Sequence, residues 1–597
     1  MTRTATDAGL VLRQHQGDVL VLTLNRAPVN ALNTALMQAL SQALTEAGDD
    51  PGTAAVVLAA AGAHFSPGAD ASELGRVQGA MLPRLASQIE AMEKPVVACL
   101  QGNALGAAAE LALAAHARLA HEGARIGWPE VALGLLPVAG ATQRLPRLVG
   151  APLALKLLLD GVPVRAVDAL AMGLLDSVTD GNPLPRAVDL ARDLATRPVV
   201  RTADRREGMR DAIAYQNAIA EARKSHEGWR QPAPAALIGC VEAAQLLPFD
   251  MGLAFEQAQA EAMAETPEAT GLRHAFLAER RALMPPRDLA ASAPPALNAV
   301  TVLGAGGLVP EVVRMALGAG LRVELVAPDR ASLSEALTRV AARQEAAVAE
   351  GNLSADAREA DWARLKGVLP GDALAPADLV LAAPDAPRLA AAPGPVIGLG
   401  GMGGVVLHPA PVAGGLAQLA IAAGAPLPLQ ALALAFGRRI GWKVLVQGPG
   451  VAIDQRLRQV LSRAIAALES GGAERPHIAA ALASYGLGAG MRPRLPAAPE
   501  GAPDIIRFCL AALMNEAARI VSESVARRPS DVDAAALMTG LFPRWEGGPM
   551  FQADRIGAMA LRADLRQRAT AQPQLFTPAP VFDLLLADGQ SFADLNR

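Results

Sequence analysis

Residues 101–150 read QGNALGAAAELALAAHARLAHEGARIGWPEVALGLLPVAGATQRLPRLVG. Two acidic residues stand out in this small, apolar stretch. Glu110 opens a helical run behind the turn at Gly106, and Glu130 comes directly after Pro129. Taken singly, a glutamate at a helix start is a cap or a surface charge. A carboxylate pair held by rigid backbone has another use: one member takes a proton from water while the other delivers one to carbon.

Working outward, short apolar runs alternate with helical spacing. VLVLTLNR (19–26) reads as a strand and NTALMQALSQALTEAG (33–48) as a helix. AAVVLAAAG (54–62) and KPVVACLQG (94–102) read as buried strands ending in glycine. This rhythm predicts an α/β fold with helices packed on sheets.

Together with APVNALN (27–33), HFSPGADASEL (64–74) and the KPVVA strand, the 101–150 stretch resembles the crotonase (enoyl-CoA hydratase/isomerase) family. The resemblance implies that Glu110 and Glu130 add water across the double bond of a 2-enoyl-CoA. It also implies that the backbone N–H groups of Ala69 and Ala107 receive the charge that develops on the thioester oxygen, usually the largest catalytic term in such reactions. Ala107 begins the helix that carries Glu110, where the helix dipole favours an anion. The family's run of three glycines is here Gly106-Ala107-Ala108, and Pro67 precedes Gly68. The added methyl groups are expected to narrow the pocket. Asp70 and Glu73 are expected to cap and solvate the helix that follows the loop, and Arg144 and Arg147 to form structural ion pairs or oligomer contacts.

At 597 residues the chain is too long for one ordinary domain. Aromatic residues are only 3% of it, so its cores must be built from Ala, Leu and Val. A net charge of −4 argues against a nucleic-acid partner. Cys99, Cys240 and Cys509 stand singly, which predicts neither a disulfide framework nor a metal site. The N-terminus lacks an apolar signal core, and no apolar run reaches the roughly 18 residues of a membrane span. A cytoplasmic protein without membrane insertion is the expectation.

Residues 191–296 are helical by pattern. Their end, ETPEATGLRHAFLAERRALMPP (265–286), resembles the linker helix of multifunctional β-oxidation enzymes, the peroxisomal bifunctional type and the alpha subunit of the bacterial fatty acid oxidation complex among them. Arg273, His274, Glu279 and Arg280 on it are read as a solvated or interface-forming face rather than a catalytic cluster. The Pro/Ala stretch 285–298 marks a boundary. NAVTVLGAGGLVPEVVRMALGAGLRVELVAPD (298–329) then has the strand, glycine turn, helix and strand of a dinucleotide-binding unit, with Gly304 and Gly306 in the turn. In order and linkage the remainder resembles the 3-hydroxyacyl-CoA dehydrogenase half of the same enzymes. Its working positions depart from that pattern. Val309 replaces the third glycine, Ala327 the ribose-binding acid (with Asp329 two residues on), and Ala382 a strand-end glutamate. The serine loop is missing. His408 matches the catalytic histidine, but Gln418 stands where its orienting glutamate belongs, and Gln455 replaces an asparagine. A histidine without a carboxylate is a poorer base.

The domains expected are therefore a crotonase core (1–190), its helical extension and linker helix (191–296), a degenerate Rossmann-like α/β domain (297–445), and an all-α domain of the dehydrogenase C-terminal type (446–597). The function expected is hydration of enoyl-CoA thioesters in β-oxidation or related acyl-CoA metabolism, which needs a coenzyme A thioester and no cofactor or metal. NAD catalysis is expected to be lost from the second half, leaving a scaffold, a homo-oligomer interface or a dock for a thiolase-type partner. Two alternatives stay open: a fully bifunctional hydratase and NAD-dependent dehydrogenase, and a noncatalytic acyl-CoA-binding or assembly protein.

Overall fold

The computed structural model describes residues 9–71, 73, 78–292, 296–401, 403–410, 415–488 and 494–596. Ser72 and Leu74 of the HFSPGADASEL stretch, residues 293–295 of the Pro/Ala boundary and the first eight residues lie outside the described residues. The chain divides into two compact units, Met1–Arg273 and His274–Arg597. The division falls inside the expected linker helix.

The first unit begins with β1 (Val11–Gln16), β2 (Val19–Leu24), α1 (Thr34–Asp49), β3 (Ala55–Ala60), α2 (Gln78–Ala91) and β4 (Val96–Leu100). β5 (Asn103–Leu105), α3 (Ala107–Ala114), β6 (Ala117–His121) and β7 (Arg125–Gly127) follow, with a 3-10 turn at Pro129–Leu133. Next come α4 (Ala141–Asp160), β8 (Val164–Arg165), α5 (Ala166–Ala171), β9 (Ser177–Thr179) and α6 (Pro183–Leu194). Helices α7 (Ala212–His226), α8 (Ala233–Leu246) and α9 (Phe249–Ala264) complete it, ahead of α10 (Pro267–Ala282), in which the division lies.

Its main sheet runs β1-β2-β3-β4-β6-β9 and is parallel except for the β1/β2 pair. Both faces are covered, which is why the strands read as unbroken apolar runs. Leu20, Leu22 and Leu24 of β2 enter the large core, while Val19 and Val21 pack on the opposite face with Ala187, Val188 and Ala191 of α6. The edge strand β1, VLRQHQ, is mostly exposed and carries no such run, so sequence pattern does not disclose it. Beside this sheet lies a small one, β5-β7-β8. α3 is buried along its whole length, Glu110 included. Only a helix of such small side chains can be surrounded so closely, and the alanines at 107–109 serve that purpose.

The second unit opens with α11 (Arg287–Ala291), then β10 (Ala299–Leu303), α12 (Val309–Gly318) and β11 (Arg322–Val326). β12 (Leu365–Val368), β13 (Leu379–Ala382), β14 (Val396–Leu399), β15 (Val405–Pro409), β16 (Leu416–Ile421) and β17 (Lys443–Gln447) extend the sheet. Its order is β12-β11-β10-β13-β14-β15-β16-β17, parallel except for the β15/β16 pair. The centre of that order is a doubly wound nucleotide-binding topology. From Ile453 onward the described chain is helical, with its own core of Ala, Leu and Phe. His274 bonds Asp533 at 2.8 Å and stacks on Phe551, and Glu279 pairs with Arg544. The polar face expected at this helix is thus engaged in packing.

Candidate active site

Two turns bring the candidate residues of the first unit together. β4 leads through Gly102 and β5 to Gly106, whose φ of +52° and ψ of −122° reverse the chain into α3. β7 pairs in parallel with β5 and delivers Pro129 and Glu130, so the two glutamates reach the site from neighbouring strand ends. Gly106 donates its N–H to the Gly127 carbonyl at 2.8 Å. The point where Gly106 would carry a Cβ lies 2.5 Å from Oε1 of Glu130. This is the glycine of the family's run that the chain keeps. The methyl-bearing Ala107 and Ala108 are 6% and 0% exposed and pack in the core of the first unit.

Glu110 is 1% exposed. Its Oε1 accepts from the N–H groups of Ala139 (2.8 Å) and Ala141 (3.1 Å), and its Oε2 from Val138 (3.3 Å). Burial pushes its carboxyl well above the ordinary range, and the charges of Glu256 and Glu130 push it further. Glu130 is raised to about 7, first by burial and then by Glu256. Its Oε2 is enclosed and has no hydrogen-bond partner among the described residues. A buried acceptor without a partner is costly, and one aimed into a site is a group awaiting a ligand or water.

The loop at Gly68 supplies the other wall. Ser66 pairs with Ala104, and the Ser66 carbonyl accepts from Leu105 at 3.1 Å. A Cβ on Gly68 (φ +95°) would come within 2.6 Å of the Leu105 carbonyl oxygen and 3.5 Å of the Ala107 nitrogen. Only glycine permits this approach, which sets Ala69 beside the start of α3. Neither the Ala69 nor the Ala107 nitrogen donates to an acceptor among the described residues. Both are open for an oxyanion.

Several flanking expectations need correction. Asp70 pairs with Arg26 at 2.7 Å, and Glu73 accepts from the N–H and hydroxyl of Thr34. They tie the loop back to the segment between β2 and the start of α1. Arg144 forms the expected ion pair, with Glu90 at 2.7 Å. Arg147 instead donates to the carbonyls of Ala203 and Gln143 and lies over the Phe249 ring.

Sequence reasoning missed one residue of this site. Glu256, on α9, is fully buried and accepts from Gly140 N–H (2.6 Å), Thr142 N–H (2.9 Å) and the Thr142 hydroxyl (2.5 Å). Its signal was available: Gly252, Glu256 and Ala260 form the buried stripe of α9, with the acid between two small residues.

The glycine turn of the second unit is closed. Asp385, which follows β13, places Oδ2 at 2.9 Å from the Ala305 nitrogen and 2.8 Å from that of Gly306. A carboxylate thus takes the two N–H groups that a dinucleotide's pyrophosphate would need. Val309 is buried in the core, Ala327 offers no side-chain acceptor, and Asp329 turns its carboxylate to Ser332 as an N-cap. These residues do not fit NAD. His408 is 7% exposed, with Nε2 enclosed and unpartnered. Gln418 faces it across the β15/β16 pair, but donates to Asp454 at 2.6 Å. His408 is therefore not remote from all carboxylates, as the sequence suggests. Burial lowers its pKa, while Asp454 and a backbone bond at Gly450 oppose that shift.

The family model for enoyl-CoA hydratase/isomerase matches residues 14–226, and that for the 3-hydroxyacyl-CoA dehydrogenase NAD-binding domain matches residues 299–385. The chain carries a crotonase domain followed by a domain of the 3-hydroxyacyl-CoA dehydrogenase type, as the resemblance implied. It is similar to the peroxisomal bifunctional enzyme of Danio rerio, 38% identical over 44% of this chain and 37% of that one. It is also similar to the glyoxysomal fatty acid beta-oxidation multifunctional protein MFP-a of Brassica napus, 29% identical over 61% of this chain and 53% of that one. These matches cover little more than a third to about half of the relatives' length. An enoyl-CoA hydratase structure from Mycobacterium avium subsp. paratuberculosis aligns at 24% identity over 45% of this chain and 96% of its own, with a TM-score of 0.35. Among the described residues no helix is long and apolar enough to cross a membrane, and no acidic, His and Cys cluster could hold a metal ion.

Proposed function

We propose that the first unit hydrates 2-enoyl-CoA thioesters. The observation that carries this reading is the buried Glu110 and the half-buried Glu130, whose Oε2 is enclosed, beside two backbone N–H groups, those of Ala69 and Ala107, without an acceptor among the described residues. In the reaction, water oxygen bonds to the β-carbon and the α–β double bond shifts charge onto the thioester oxygen. The two N–H groups stabilise that oxyanion. One carboxylate takes the water proton and the other gives its proton to the α-carbon, so the pair returns to its starting charge after a single transfer between them. Burial raises both carboxyls, and the Glu130 charge raises Glu110 further, which favours a proton on one member of the pair, as this exchange requires. Crotonyl-CoA hydration by the purified protein tests the reading. No turnover above buffer would overturn it.

The second unit serves in this proposal as a scaffold or docking module without NAD chemistry, because Asp385 fills its phosphate turn. The retained His408, with Asp454 near it, favours the alternative of a bifunctional enzyme. Formation of NADH from a 3-hydroxyacyl-CoA separates the two. A cytoplasmic location and a homo-oligomeric or thiolase-type assembly belong to the same proposal, tested by cell fractionation and by the mass of the protein in solution.

A further inference from the structure

The segment 138–142 shares its N–H groups between two buried acids. Those of Val138, Ala139 and Ala141 go to Glu110, and those of Gly140 and Thr142 go to Glu256. Such an interleaved turn cannot shift for one acid without breaking bonds to the other. Gly140, at φ +94°, makes the alternation possible. The turn is held from outside by α9, where Gly252 allows close approach: a Cβ there would stand 2.1 Å from Oε1 of Gln143. Among the described residues no cation bonds Glu256. The nearby Arg144 guanidinium is committed to Glu90 and to the Ala139 carbonyl.

We propose that Glu256 is a positioning residue for the hydration reaction: through the 138–142 turn it fixes the carboxylate of Glu110. The groups facing it are Glu110 on α3, Glu130 in the 3-10 turn, Thr142 and Arg144 on α4, and Cys240 on α8. Cys240 is a buried thiol, raised by burial and by Glu256, and stays neutral. Arg144 is balanced by Glu90. Burial raises the Glu256 carboxyl too, and Glu256 in turn raises Glu110 and Glu130, so its removal favours ionisation of the pair.

The proposal rests on the hydratase reading for its kinetic arm only. In Glu256→Gln the pH profile of kcat/KM for crotonyl-CoA is expected to move to lower pH as a whole. In Glu256→Asp, which keeps the charge but shortens the reach, the profile stays in place while kcat falls. A folded Glu256→Gln protein with the wild-type profile, or with activity lowered by one factor at every pH, overturns the proposal. The second arm needs neither activity nor a Glu256 variant. In Glu130→Gln protein carrying carbon-13 glutamate carboxyls, the Glu110 signal is expected to titrate in two coupled steps. A single independent step overturns the coupling. Wild-type protein without hydration, alongside coupled titration in the Glu130→Gln protein, would sink the hydratase reading and leave Glu256 coupled to Glu110.

Discussion

Oε1 of Glu130 lies 2.5 Å from the position that a Cβ on Gly106 would take, so the carboxylate occupies space that only glycine leaves free. Gly106→Ala therefore places a methyl group against a catalytic acid and strains a backbone at φ +52°. Hydration is expected to fall at least about tenfold through misplacement of Glu130. The double variant with Glu130→Gln should lose little beyond the single Glu130→Gln, because both act on one group. Independent, multiplying losses in steady-state kinetics would contradict the relationship.

Changing Glu110 or Glu130 to Gln keeps shape and removes a proton-transfer group. Hydratase activity is expected to fall by about 10²–10⁴-fold in either variant, and the double variant should not multiply the losses. Activity within about threefold of wild type would contradict the assigned roles.

The Glu130 carboxyl, at about 7 against an ordinary 4.5, binds its proton more tightly in the folded chain than in the unfolded one. Its contribution to stability is present at low pH and is lost as pH rises from about 4.5 through 7. Glu130→Gln should therefore be more stable than wild type at pH 8, by on the order of 2 kcal/mol, and little different at pH 4.5. Denaturant unfolding at the two pH values checks the sign; a difference confined to low pH would refute it.

The Ala69 N–H is open in the loop beside α3. Ala69→Pro deletes this donor and Ala69→Gly keeps it. The first is expected to lower turnover by about 10²–10³-fold and the second only modestly. An unchanged melting curve establishes that the proline variant is folded, and equal turnover in two folded variants would remove the backbone group from the mechanism.

In the second unit, Asp385 holds the turn at Ala305 and Gly306. Calorimetry is expected to show no NAD binding at millimolar cofactor, and 3-hydroxyacyl-CoA with NAD should yield no NADH. Asp385→Ala frees the N–H groups of the buried Ala305 and the exposed Gly306 and should lower the melting temperature, the loss at Ala305 costing about 1–3 kcal/mol. NADH formed by wild-type protein and abolished by His408→Ala would establish the bifunctional alternative.

Much of the site was legible in the sequence because its parts are local. The unbroken apolar runs at 54–60 and 96–100 announce strands buried on both faces, and Gly106 and Pro129 announce the turns that present Glu110 and Glu130. Even the departures at Val309 and Ala327 could be read directly. The partners of Asp70 and Glu73 could not, since these acids reach back along the chain, to Arg26 just beyond β2 and to Thr34 at the start of α1.

By itself, then, the sequence determined the strand and helix rhythm, the candidate pair of glutamates and the departures of the nucleotide turn from its pattern, all properties of short segments. Tertiary structure alone decided that Glu256 bonds Thr142, 114 residues earlier, and that Asp385 closes a turn 80 residues earlier. The reason is physical. An acid's role depends on which N–H groups surround it and how far water is excluded, and both are set by the packing of distant elements, not by its neighbours in the chain.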